Sequence, residues 1–167
     1  EFLLGNREVA RNVSEQEVIY RNIAKSFYPH PVVIRTFDIG RDKGHPMLTS
    51  APEENPSLGT MSIRLFLREK ELLINQLRAI ITANRMKNIR LLLPMITEVE
   101  EVVTVRKLIR EIKADLQGQG RRIHVPRIGI MIEVPAAVKL IKHIRDKLAS
   151  PIHTSKHWDP FWPFTNR

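Results

Sequence analysis

Apolar positions along the chain alternate between helical spacing and short continuous runs. The first helical stretch begins at Ser14. Ser14 and Glu17 have capping-box spacing, and Val18, Ile19, Ile23 and Phe27 form one apolar face. Tyr28-Pro29-His30-Pro31 ends it, because proline cannot continue a helix. The β-branched run from Val32 to Arg35 predicts a buried strand. Asp38 to Gly59, with Pro46, Pro52, Pro56, Gly40 and Gly44, predicts a long loop, and loops of that length in compact domains are often functional. Helical spacing returns from about Met61 to Asn84, with a break near Arg68; Ile63, Phe66, Leu73, Leu77, Ile80 and Ile81 make its stripe. Ile89 to Met95 is a second strand, nearly all apolar, which predicts burial on both faces. Thr97, with Glu100, caps a third helix whose buried side is Val99, Val102, Val103, Leu108, Ile109 and Ile112. Gln117 to Gly120 ends it. Arg127 to Glu133 is a third strand. Pro135 stands in the first turn of a fourth helix, where its missing N–H costs nothing. That helix carries Val138, Leu140, Ile141, Ile144 and Leu148.

Helices alternating with buried strands predict an α/β fold of parallel βαβ units, three strands with four helices. That is too few strands to close an eight-stranded barrel. Residues 150–167 break the pattern. They hold Trp158, Trp162, Pro151, Pro160 and Pro163 and follow neither period, which predicts a foreign or out-of-frame tail. The expected organisation is one domain over residues 1–149 and a tail over 150–167. Glu1 to Gly5 reads as a cut end.

Composition narrows the function classes. Hydrophobic residues make up 43% and charged residues 27% of the 167, which is globular rather than disordered. No apolar run approaches a bilayer span, and no signal peptide is recognised. Cysteine is absent, which excludes thiol catalysis and fits a reducing, cytoplasmic compartment. The net charge of +9 suggests anionic partners. Lys and Arg are scattered along helices and strand ends without a polybasic arm, which argues against nucleic acid. His30, His45, His124 and His143 read as loop or helix-surface residues. Arg35 ends the first strand, where α/β barrels place working groups; the alternative is an arginine that faces water. Glu133, at the end of the third strand, reads by itself as a strand-end salt-bridge partner.

Five short motifs occur in order: Ile34–Lys43 (IRTFDIGRDK), Glu53–Gly59 (EENPSLG), Ser62–Arg64 (SIR), Leu91–Ile96 (LLLPMI) and Ile130–Ala137 (IMIEVPAA). Together they resemble enzyme I, the phosphoenolpyruvate (PEP)–protein phosphotransferase of the bacterial sugar phosphotransferase system, in its C-terminal PEP-binding (β/α)8 barrel. The resemblance implies a partial TIM barrel and a fragment of an enzyme that passes the PEP phosphoryl group to a protein histidine. It implies Mg²⁺ as cofactor, the phosphocarrier protein HPr as partner, and a homodimer at full length. Residue by residue, it implies that Arg35 binds the PEP phosphate and that Arg64 is a second active-site arginine. It further implies that Lys43 is a weaker contact and that Glu133 ligates Mg²⁺. The family's usual Gly-Gly-Asp-Lys is here Gly40-Arg41-Asp42-Lys43. The second Mg²⁺ ligand, the enolate-protonating cysteine and the phosphohistidine domain have no counterpart in the chain. No catalytic residue is therefore expected in it, nor transfer by the chain alone. The competing readings are a truncated, non-catalytic binding module and, more weakly, a basic nucleic-acid binder.

Overall fold

The structure is a computed structural model that describes residues 7–38, 70–132 and 134–148. Its sheet has three parallel strands in the order β1 (Val32–Arg35), β2 (Ile89–Leu93) and β3 (Arg127–Ile130). Five α-helices accompany it among the described residues: α1 (Arg7–Arg11), α2 (Val13–Phe27), α3 (Lys70–Ala83), α4 (Val99–Gly118) and α5 (Pro135–Leu148). The helices pack in sequence, α2 on α3, α3 on α4 and α4 on α5.

The register separates the two faces of the sheet. Val32 pairs with Ile89, Ile34 with Leu91, Leu91 with Ile128 and Leu93 with Ile130, so these residues share one face. That face joins the core with Leu73, Leu77, Ile80 and Ile81 of α3 and Val102, Val105, Ile109 and Ile112 of α4. The other face carries Val33, Arg35, Arg90, Leu92, Arg127 and Gly129. It is half open: Leu92 is only partly buried, and Val33, on the edge strand, is 43% exposed. Burial of β2 on both faces, expected from its sequence, is thus complete on the helix side alone.

Several boundaries differ from expectation. β2 stops at Leu93 instead of Met95, because Pro94 has no N–H for the ladder and Met95 adopts φ +53°. β3 stops at Ile130 instead of Glu133; the Met131 N–H still reaches the Leu93 carbonyl at 2.8 Å, but β2 offers no strand beyond it. A fifth helix, α1, precedes α2, and Asn12 between them is the cap of α2. Its Oδ1 accepts from the backbone N–H groups of Ser14 (3.0 Å) and Glu15 (3.2 Å), the role expected of Ser14. The cap of α4 is Glu98, one residue after Thr97. The Glu101 carboxylate accepts from the Thr97 N–H (2.7 Å), the Thr97 hydroxyl (3.1 Å) and the Glu98 N–H (3.0 Å). At the other end of α4, Gly120 takes φ +74° and the Arg121 N–H returns to the Leu116 carbonyl at 3.0 Å, a closure suited to glycine. Of the expected second helix, residues 61–69 lie outside the described residues.

The buried side of α2 is the largest departure. Most of the expected face is open: Phe27 is 58% exposed, Val18 and Ile23 less so, while Ile19 is partly buried. Gln16, Tyr20 and Ala24 face the core instead. Their spacing of four residues makes one stripe along the helix. Its polar heads are satisfied internally: Gln16 Nε2 donates to the Ala10 carbonyl at 2.7 Å and the Tyr20 hydroxyl donates to Gln16 Oε1 at 3.1 Å. A smaller correction holds in α4, where Val103 is exposed and Val105 and Leu116 are buried. In α5, Val138 is exposed and Ala137 buried; the side chains of Ile141, Ile144 and Leu148 lie outside the described residues.

Candidate functional site

Parallel strands bring their carboxyl ends to one rim, and the open face of the sheet leads to it. Arg35 stands there, last in β1 and on the open face. Its Nη1 lies 3.3 Å from Asp38 Oδ2, and both side chains are partly exposed. A guanidinium is a planar fork whose geometry matches a phosphate or carboxylate. An anion arriving here competes with Asp38.

The backbone that carries Arg35 is fastened by one buried side chain of α3. Gln76 Oε1 accepts from the Phe37 N–H at 2.9 Å, and its Nε2 donates to the Tyr20 hydroxyl oxygen at 3.2 Å and, at the longer distance of 3.4 Å, to the Arg35 carbonyl. Through Tyr20 and Gln16 this chain of bonds runs from the rim to α2. Burial pushes the Tyr20 phenol up to about 12, against a smaller lowering effect of its bond with Gln76. Thr36 adds its N–H to the Leu92 carbonyl at 3.0 Å. Its buried hydroxyl oxygen has no partner among the described residues. Met95, at φ +53°, lies on the same rim after β2, and strained backbone of this kind clusters at functional sites.

Of the residues singled out in the sequence, Arg35 has a described position. Arg64, Lys43 and Glu133 lie outside the described residues, as does His45. Among the described residues no group of three His, Asp or Glu side chains could hold a metal ion. No described helix is long and apolar enough to cross a membrane. Sequence reasoning missed Gln76, although the signal was present: a polar residue inside the stripe Leu73, Leu77, Ile80. It also missed His124, which is partly buried in a basic cavity at the opposite end of the sheet.

The family model described as PEP-utilising enzyme, PEP-binding domain, matches residues 1–150. A phosphoenolpyruvate-protein phosphotransferase of Buchnera aphidicola subsp. Schizaphis graminum is 40% identical over 149 residues, covering 86% of this chain and 25% of the relative. A multiphosphoryl transfer protein of Rhodobacter capsulatus is 36% identical over 148 residues, 89% of this chain and 17% of the relative. A protein of Salmonella typhimurium named phosphoenolpyruvate-dependent phosphotransferase system is 38% identical over 136 residues, 80% of this chain and 18% of the relative. The chain thus spans a quarter or less of these relatives.

Proposed function

We propose, from the premise that this chain belongs to the PEP-utilising enzymes through their PEP-binding domain, that it is the part of an enzyme I-type phosphotransferase that receives PEP. The single observation that carries this reading is Arg35 on the rim, ion-paired to Asp38 and set by Gln76 at the mouth of an open sheet face. A barrel interior needs such a face, so we take the three βα units as a partial (β/α)8 barrel whose helices form part of the outer ring.

Arg35 then binds the PEP phosphate, with Arg64 and Lys43 as further cations. Their charge offsets the negative charge on the transferring phosphoryl group. The acceptor is a protein histidine, and HPr, a homodimeric assembly and a role in cytoplasmic sugar uptake belong to the same proposal. Glu133 is the carboxylate we assign toward Mg²⁺, an ion that would stabilise the enolate leaving as pyruvate. Among the described residues no group of three His, Asp or Glu side chains could hold that ion. Residues 150–167 are taken as a tail outside the PEP-binding part.

Calorimetric titration of the chain with PEP tests the reading. Each charge-assisted bond contributes about 1.5–3 kcal/mol net, so an open rim gives a dissociation constant on the order of millimolar, near −4 kcal/mol. Arg35→Gln should abolish measurable binding. PEP binding of undiminished strength in Arg35→Gln would contradict the assignment of Arg35.

A further inference from the structure

The amino-terminal end of the sheet, away from Arg35, holds a cavity of about 560 Å³. Its walls are the turn after α3, with Arg85 and Lys87, and the segment entering β3, with Arg121, Arg122 and His124. Asn84 joins the two walls: its Nδ2 donates to the His124 carbonyl at 2.9 Å and its Oδ1 accepts from the Ile89 N–H at 3.0 Å. Asn84 is buried, so it ties the backbone of the two walls together from beneath, while the four basic side chains above it are exposed.

Acidic compensation is thin. Glu17 lies 3.5 Å from Arg85 and 3.6 Å from Arg121, and at 3.1 Å it already pairs with Arg21. Among the described residues Lys87 and Arg122 have no acidic partner. His124 senses the imbalance: partial burial first, then the charges of Lys87 and Arg122, hold its imidazole below the ordinary range. Four permanent cations around one concavity, with a single shared carboxylate, form a site of strong positive potential. Beside the cations the lining is Thr82, Ile123 and the imidazole of His124, with no Phe, Tyr or Trp ring to form a stacking platform. Recognition therefore falls on the anion itself.

We infer that this cavity is a binding site for a small multivalent phosphate, of the diphosphate or oligophosphate class, held by Lys87, Arg122, Arg85 and Arg121. Charge-assisted bonds to several phosphate oxygens suit such a cluster, and the affinity should rise from orthophosphate to pyrophosphate to tripolyphosphate.

The test is calorimetric titration of the chain with pyrophosphate at fixed ionic strength. Saturable binding is expected. Lys87→Asn with Arg122→Gln should weaken it at least about tenfold, as loss of two charge-assisted bonds predicts. Asn tolerates the φ of +62° that Lys87 adopts, and among the described residues neither Lys87 nor Arg122 has an ion pair to lose, so the variant should keep the fold. The control pair Lys107→Gln with Lys139→Gln, on exposed positions of α4 and α5, should change affinity by less than about twofold, since screened distant charges act weakly. Arg35→Gln should leave pyrophosphate binding intact, which separates this site from the PEP reading. A second measurement needs no variant: pyrophosphate should raise the pKa of His124, followed by NMR of its imidazole. Absence of saturation, equal weakening by the control pair, or an unmoved His124 would each overturn the inference.

Discussion

Replacing Gln76 with methionine keeps the length of the side chain and removes its amide. The Phe37 N–H, on a buried residue, then loses its acceptor, and the Tyr20 oxygen loses its donor. An orphaned buried N–H costs about 1–3 kcal/mol, and a neutral hydrogen bond contributes about 1 kcal/mol net. The bond to the Arg35 carbonyl is long, at 3.4 Å, and adds little. The expected loss is about 2–3 kcal/mol, a large share of the roughly 5–15 kcal/mol that holds an ordinary domain together. Thermal melting should fall by about 5–10 °C for a chain of this size. Urea unfolding measures the same loss as a lower midpoint at unchanged slope. A double-mutant cycle with Tyr20→Phe should show coupling of about 1 kcal/mol, because the two side chains share a bond. Gln76→Met within about 0.5 kcal/mol of the parent would refute the account of the clamp, since surface substitutions alone fall in that range.

Two further predictions follow from the ionisable groups. The folded chain keeps the Tyr20 proton to about 12, whereas the unfolded chain releases it near the ordinary phenol value of 10.0. Its contribution, about 3 kcal/mol, is therefore whole below the lower value and lost as pH rises through the higher one. Alkaline unfolding of the parent and of Tyr20→Phe should differ by this extra loss; parallel curves would contradict it. His124 is held low by burial and then by Lys87 and Arg122, so the folded state binds fewer protons than the unfolded state below about 6.5. Stability should accordingly fall as pH drops through that region, and Lys87→Asn should move the imidazole titration back toward its ordinary value. An NMR titration unaffected by that substitution would count against the charge assignment.

Strand positions and most helices could be read from the sequence because burial on the helix side of the sheet is written in plain apolar residues: Ile89, Leu91 and Leu93, or Leu73, Leu77 and Ile80. The face of α2 was not legible in that way. Its buried stripe is Gln16, Tyr20 and Ala24, two of them polar and one small, while the more apolar Val18, Ile23 and Phe27 look outward. Periodicity counts hydrophobicity, but hydrogen bonding to Ala10 and Gln76 satisfies these polar groups out of water. Strand ends were overread for a related reason: Pro94 is apolar enough to extend the run and yet cannot donate to the ladder. Arg35 was found from its place after a β-branched run. Asp38 and Gln76, which hold it and its backbone, come from a loop and from a helix about forty residues away. The basic cavity was invisible because Arg85 and Lys87 are separated in sequence from Arg121, Arg122 and His124. Read along the chain, they are merely scattered charges.

The claim that PEP is received at the carboxyl-terminal rim is tested most directly by NMR mapping of PEP on the isotope-labelled chain, with amide shifts followed to several millimolar. The account predicts saturable shifts at Arg35, Thr36, Asp38 and the rim residues Met95 and Met131, together with Lys43 and Arg64, all lost in Arg35→Gln. Shifts confined to the basic cavity at the other end of the sheet, or a rim that stays unperturbed at saturating PEP, would contradict it.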